Sequence, residues 1–212
     1  PTVLDLAYAP LRLDGSGLWP AASRDAVLQL HSPGKALGLL GVRGAYALLP
    51  AQGAVAWDVA RWRQALALAA PSWPLGAQGE ALLRAWALPA TQQWVAASHA
   101  TLRAWRQQLR QALAARGVAL RDSVVPFFCA RLALCPDAAA RHGVAVRDAA
   151  SFGLPGWVRL NSLSPTGQQA LLAALDESPG RGADPAAIAR REAGAGPARN
   201  STASAQAHET GP

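Results

Sequence analysis

The amino-acid sequence predicts an α/β body followed by a smaller α+β unit. Three observations carry that expectation. Short apolar runs of strand length fill the first 50 residues, helical spacing dominates from residue 57 to 116, and short apolar runs return before a last helical segment. The two units are placed at residues 1–77 and 78–178, with residues 179–212 as a tail. No internal repeat is visible in the sequence.

Residues 1–8 read as a short buried strand, with Val3, Leu4 and Leu6 around Asp5 and a break at Pro10. Residues 11–24 read as loop because Asp14-Gly15, Gly17 and Pro20 interrupt them. Residues 27–31 are apolar and of strand length, and a glycine-punctuated stretch then runs from His31 to Gly44. A further strand is expected over 45–49, ended by Pro50. The pattern from 57 to 70 is helical and closes at Pro71 and Pro74. A helical region runs from Gln78 to Arg116 with an interruption near Pro89, and Gly117 sits where such a helix would end. Trp94, Ala97, Leu102, Trp105, Leu109 and Leu113 recur within it at helical spacing. Residues 123–134 read as a strand that Pro126 places at an edge or bulge. Residues 144–147 and 157–160 are short strand candidates, and 168–175 form a last helix. After Ser178 large apolar residues nearly vanish, which predicts disorder over 179–212.

The chain has 212 residues, of which 51% are hydrophobic and 16% charged. That apolar content excludes a wholly disordered chain, and the length supports a core. No apolar run reaches the length of about 18 residues that a membrane-spanning helix needs. The opening PTVLDLAYAP lacks the basic flank and apolar run of a secretory signal. Cys129 and Cys135 cannot build a disulfide framework or a four-ligand metal site alone, so buried thiols in a reducing cytoplasm are expected. The net charge of +7 would suit a polyanion, but the arginines are spread along the chain rather than gathered. Neither nucleic acid nor a membrane is expected as partner.

Lys35 is the informative residue. It is the one lysine, the other 19 basic residues being arginine. An isolated lysine is ordinarily a solvated surface group, yet here arginine has replaced it everywhere else. Arginine stays protonated, whereas a desolvated lysine can lose its proton and attack a carbonyl. Around it stand Ser32, Gly34, Gly38, Gly41 and Arg43. Glycines let a backbone approach a ligand, and a hydroxyl with a guanidinium suits a phosphate. Upstream, Asp5 closes an apolar strand and Tyr8 follows it; read alone, Asp5 could equally end a strand or cap a turn. Together, Asp5, Tyr8, Ser32, Lys35 and Arg43 suit pyridoxal 5′-phosphate. Its aldehyde needs an amine, its ring nitrogen a carboxylate, its phenolic oxygen a donor and its phosphate a positive anchor.

Two motifs then carry a family resemblance. Asp5-Leu6-Ala7-Tyr8 resembles the Asp-x-Ala-Tyr strand of class I/II, fold-type I aminotransferases. Residues 32–43 resemble their Ser-x-x-Lys-x-x-Gly-Leu-x-Gly-x-Arg motif, with Ser32, Lys35, Gly38, Leu39, Gly41 and Arg43 in place. Residues 143–147 and 152–160 are similar to the C-terminal segment of the histidinol-phosphate aminotransferase branch, which includes threonine-phosphate decarboxylases. The resemblance covers roughly residues 2–176 and implies the C-terminal half of such an enzyme: part of the cofactor-binding large domain plus the small α+β domain.

Matched position by position, the resemblance implies that Lys35 holds the cofactor through an imine and then moves a proton. It implies that Asp5 pairs with the pyridine nitrogen and Tyr8 donates to the phenolic oxygen. Ser32 and Arg43 would bind the phosphate, and Arg159 would clamp the substrate carboxylate in bidentate fashion. Arg147 is a weaker candidate for a second anionic group. Amino-acid and 2-oxo-acid substrates and a homodimer are also implied.

The match has departures. Leu6 stands where an acidic residue is usual, and Pro10-Leu11 replace an aromatic. The family's glycine-rich phosphate turn, ring-stacking aromatic and asparagine loop precede the Asp strand and have no counterpart here. The absence of methionine fits a start inside a longer reading frame, and equally an initiator removed before Pro1. Little or no activity is therefore expected of the chain alone, and a decayed half serving as an interaction module is the competing reading. His31 adjoins the cofactor loop, while Trp86, Trp94 and Trp105 suit a core or a dimer interface.

Overall fold

The computed structural model describes residues 2–17, 19–51 and 58–178. A three-stranded sheet comes first, ordered β1 (Val3–Asp5), β2 (Leu28–His31), β3 (Tyr46–Leu48). β1 and β2 are parallel, with Asp5 opposite Leu30, and β3 runs antiparallel to β2, with Tyr46 opposite His31. A parallel pair needs a crossover; residues 6–27 make it and include the four-residue helix α1 (Ala21–Arg24), where loop was expected. The first strand is not the buried one the sequence suggested. It spans three residues at the edge of the sheet, and Val3 is 54% exposed because β2 is its sole strand neighbour among the described residues.

Helix α2 (Val59–Ala69) begins where Asp58 accepts a hydrogen bond from the Arg61 amide at 3.0 Å, and it buries none of its residues. The expected start at residue 57 lies outside the described residues, as does the tail 179–212. Helices α3 (Ala77–Trp86) and α4 (Pro89–Ala114) split where Pro89 takes the first position of α4, a place where its missing N–H costs nothing. Gly117, at φ +74°, lets the Val118 amide return to the Leu113 carbonyl at 3.1 Å and closes α4.

The second sheet is ordered β4-β5-β7-β6, from β4 (Leu120–Arg121), β5 (Phe128–Ala130), β6 (Arg147–Asp148) and β7 (Val158–Leu160), with every pair antiparallel. One face packs on α4 and on α6 (Pro165–Glu177) through Leu109, Leu113, Phe128, Ala130, Leu160 and Leu171. Residues 123–134 therefore hold only a three-residue strand, and it lies inside the sheet rather than at its edge. Pro126, which has no N–H for a ladder, stands ahead of β5, and its carbonyl accepts the Ser162 hydroxyl at 2.6 Å. The strand expected over 144–147 shifts to Arg147–Asp148, since Val144 and Val146 turn onto the core. β4 and helix α5 (Pro136–Arg141) were not anticipated. Trp86 and Trp105 are half-buried and Trp94 is 57% exposed, so leucines rather than tryptophans supply the core side of α4.

Arg106 of α4 ties the two sheets together. It is buried, donates from Nη1 to the Ser123 and Val125 carbonyls at 2.8 and 3.0 Å, and pairs with Asp14 through Nη2. The Leu13 amide donates to the Val124 carbonyl at 2.7 Å, and Arg103 Nε to the Leu13 carbonyl at 2.7 Å. These bonds set the turn after β1 against the loop that leads into β5.

Among the described residues, no helix is long and apolar enough to cross a membrane, and no cluster of His, Cys, Asp and Glu side chains could hold a metal ion.

Candidate active site

The parallel ladder places the C-terminal ends of β1 and β2 side by side, and the Leu6 amide extends it by donating to the Leu30 carbonyl at 2.8 Å. Asp5 ends β1. Its Oδ1 accepts the Ala7 amide at 2.8 Å, so the turn-capping role is present, and the carboxylate remains exposed. That turn delivers Tyr8, 40% exposed, to the start of a 3-10 turn, Ala9–Leu11. β2 ends at His31 and passes through Ser32 into a second 3-10 turn, Pro33–Lys35. Gly34 is buried there, and an added Cβ would sit 3.1 Å from the Leu39 carbonyl oxygen. Gly38, at φ +68°, then reverses the chain toward Arg43.

Lys35 and Tyr8 come together. Lys35 Nζ sits over the Tyr8 ring, 5.1 Å from its centroid. This places the amine at the Asp5 end of the sheet. The Lys35 ammonium, the Ser32 hydroxyl and the Arg43 guanidinium make no ion pair or side-chain hydrogen bond among the described residues. Arg43 is exposed, and its position is set through the main chain. A Cβ on Gly79 of α3 would fall 2.3 Å from the Arg43 carbonyl oxygen, so only glycine permits this close approach.

Arg159 lies on β7 in the second sheet, yet it is joined to the lysine site through aromatic side chains. Tyr8 packs edge-on against Phe127, with centroids 5.2 Å apart. The Arg159 guanidinium lies 5.0 Å from the Phe127 centroid and 5.8 Å from that of Phe152. Arg147, directly opposite Arg159 in the ladder, stacks on the same Phe152 at 5.6 Å. A cavity of about 320 Å³ opens beside Arg159, walled by Phe127, Phe152 and Leu154. Neither Phe127, within the strand expected over 123–134, nor Phe152, within the segment 152–160 that carries part of the resemblance, was singled out in the sequence as a site residue.

His31 stacks flat on Tyr46, with centroids 4.8 Å apart and planes 5° from parallel. Its Nε2 is buried without a hydrogen-bond partner. Burial first, and then the Arg24 charge, hold its pKa below the usual histidine value.

Residues 1–175 match the family model described as aminotransferase class I and II. The chain belongs to that family, and the mixed architecture is its fold-type I scaffold. Over 176 residues it is 30% identical to the histidinol-phosphate aminotransferase of Halorubrum lacusprofundi, covering 83% of this chain and 45% of that protein. Among solved structures it resembles an aminotransferase from Burkholderia pseudomallei, with a TM-score of 0.62 and 22% identity over 82% of this chain and 51% of that one. It also resembles the L-threonine-O-3-phosphate decarboxylase of Porphyromonas gingivalis, with a TM-score of 0.57 and 24% identity over 82% and 54% of the two chains. The chain thus spans about half the length of the relatives it matches.

Family membership implies pyridoxal 5′-phosphate as cofactor. The residues present fit such a group: an amine free of ion pairs over an aromatic face, a carboxylate at the adjoining strand end, and a hydroxyl and a guanidinium without side-chain partners among the described residues.

Proposed function

We propose that this chain carries the lysine and the carboxylate clamp of a pyridoxal-phosphate-dependent aminotransferase, which moves an amino group between an amino acid and a 2-oxo acid. Histidinol phosphate represents the phosphate-bearing substrates the reading favours; it has a phosphate in place of the α-carboxylate, and that phosphate then takes the carboxylate's place on Arg159. The carrying observation is the unbroken contact path from Lys35 Nζ through Tyr8 and Phe127 to Arg159, which links an amine to a carboxylate anchor across two sheets. The cofactor supplies an electron sink for the charge that develops at the substrate α-carbon.

In this reading Lys35 Nζ holds the cofactor and afterwards carries the α-proton. Asp5, through its exposed carboxylate, keeps the pyridine nitrogen protonated, and Tyr8 Oη donates to the phenolic oxygen. Ser32 Oγ and Arg43 anchor the phosphate, and the planar guanidinium of Arg159 takes the α-carboxylate. The chain alone turns over little, a view supported by the open setting of Asp5, Tyr8 and Arg43, all exposed to water. A homodimer is the proposed working unit, supported by Leu88 and Trp94 exposed on and beside α4.

The test is the affinity of the chain for pyridoxal phosphate and for pyridoxal, which lacks the phosphate. The phosphorylated form is expected to bind more tightly, and Ser32→Ala with Arg43→Gln to erase the difference. Equal binding of both forms by the unaltered chain would overturn the assignment. Where product forms, a 2-oxo acid marks transamination; carbon dioxide in its place would move the reaction to decarboxylation at the same residues.

A further inference from the structure

The turn after β1 is tied to α4 at three points along one helix face. His99, Arg103 and Arg106 follow one another at spacings of four and three residues, so they project from the same side of α4. His99 Nε2 donates to the Pro10 carbonyl at 2.9 Å, Arg103 Nε to the Leu13 carbonyl at 2.7 Å, and Arg106 pairs with Asp14. A carbonyl only accepts, so the imidazole carries its proton on Nε2 in this contact. Arg103 and Arg106 hold the far end of the turn, which the Leu13 amide also fixes on the Val124 carbonyl. His99 holds its middle, two residues from Tyr8. Between residues 7 and 12 it supplies the one side-chain hydrogen bond from another element among the described residues.

The backbone between Pro10 and Tyr8 transmits that hold. Tyr8 opens the 3-10 turn Ala9–Leu11, and the Leu11 amide closes on its carbonyl at 3.0 Å. The Ala9 amide returns to the Leu6 carbonyl at 3.0 Å, and the Arg12 amide to that of Ala9 at 3.1 Å. Pro10 sits within these bonds with its φ locked by the ring, so the turn moves as a unit. Fixing the Pro10 carbonyl therefore fixes the direction in which the Tyr8 side chain leaves the backbone. At the ring end Phe127 gives edge-on support, and Lys35 Nζ lies 5.1 Å from the Tyr8 centroid.

We infer that His99 is a positioning residue: through Pro10 it holds the Tyr8 ring beneath the Lys35 amine. Without a donor at residue 99 the half-buried Pro10 carbonyl loses its partner and the turn relaxes. The ring then leaves the amine, which gains solvent on that side. What this placement does for a bound cofactor rests on the aminotransferase reading, in which Tyr8 and Lys35 meet the same group. The placement itself is independent of it.

The experiment is the rate at which Lys35 of the full chain is acetylated by acetic anhydride without cofactor, read by peptide mass spectrometry. Lys35 is the one lysine, so the amino terminus serves as the internal reference. His99→Phe keeps a ring and removes the donor. It is expected to speed labelling of Lys35 by about 2- to 5-fold, the equivalent of an exposed cation–aromatic contact, with the amino terminus unchanged. Tyr8→Leu gives the same acceleration, and His99→Phe adds nothing to it. His99→Gln, whose amide still donates, restores the parental rate. Urea unfolding of each variant is read alongside, and His99→Ala serves where the phenyl ring does not fit. A lowered urea midpoint with an unchanged Lys35 rate would overturn the inference. So would equal acceleration at the amino terminus, acceleration in His99→Gln, or no acceleration in Tyr8→Leu. Borohydride fixation of pyridoxal phosphate on the parent chain is measured separately. Fixation without a His99 effect sinks this inference alone; a His99 effect without fixation sinks the aminotransferase reading and keeps the positioning role.

Discussion

Tyr8 and Phe127 meet edge to face, their ring centroids 5.2 Å apart and their planes at 74°. Each ring also supports a cation, Tyr8 the Lys35 ammonium and Phe127 the Arg159 guanidinium. This aromatic contact therefore bridges the proposed cofactor amine, in the turn after β2, and the proposed carboxylate clamp on β7 of the other sheet.

Phe127→Ala removes that support at both ends. Aromatic pairs contribute about 0.5–1.5 kcal/mol beyond the area they bury, so a modest loss of stability is expected. The informative readout is carboxylate binding, which should weaken for every amino-acid ligand because Arg159 loses its platform. A lower urea midpoint with unchanged ligand affinity would show that Phe127 packs without positioning.

Gly79→Ala tests how Arg43 is placed. The new Cβ would fall 2.3 Å from the Arg43 carbonyl oxygen and 2.7 Å from Leu75 Cδ1, so the loop must move. Overpacking of this kind costs about 1–3 kcal/mol. A lowered melting temperature together with weaker pyridoxal-phosphate binding is expected, while pyridoxal binding stays as it was. Unaltered phosphate discrimination would separate Arg43 from the anchor role.

The legible parts of this protein are those written along the chain. Ser32, Lys35, Gly38, Gly41 and Arg43 share one loop at fixed spacing, and Asp5 with Tyr8 share one strand end, so local reading reaches them. The opposition of Arg147 to Arg159 is written across the chain, in the antiparallel register of β6 and β7. A shift of one residue in that pairing would turn its side chains to the other face, so no reading of single strands reveals the pair. Arg106 was opaque for another reason. A charged residue on a helix reads as solvated, and only the tertiary fold brings the Ser123 and Val125 carbonyls within its reach.

Arg106→Leu is accordingly expected to destabilise the chain more than a surface arginine would. It strands the Ser123 and Val125 carbonyls and frees Asp14, which is itself partly exposed. Hydrogen bonds to a charged group contribute about 1.5–3 kcal/mol each before such exposure is discounted, so a total loss near 2–4 kcal/mol is anticipated in urea unfolding. Arg110→Leu, at a more open position, serves as the comparison; equal losses would deny Arg106 its role as a tie between the sheets.

His31 gives a pH dependence with a defined sign. Its pKa lies below the ordinary value of 6.5 because burial, and then Arg24, oppose the charged ring. The folded protein thus resists a proton that the unfolded chain accepts. Stability is fully present above the unfolded pKa and falls as pH drops from there toward the lowered folded value. His31→Phe keeps the stack on Tyr46 and removes the titration, so its urea midpoint should change less between about pH 7.5 and pH 5 than that of the parent chain. Identical slopes would place the titration elsewhere.

Lys35 is the residue proposed to bond covalently to pyridoxal phosphate. The direct measurement is peptide mass spectrometry after the chain is mixed with the cofactor and reduced with borohydride. One pyridoxyl-phosphate group is expected, on Lys35, and it is lost in Lys35→Ala together with the accompanying absorbance band. Labelling confined to the chain's amino terminus, or an unchanged spectrum on adding the cofactor, would contradict it.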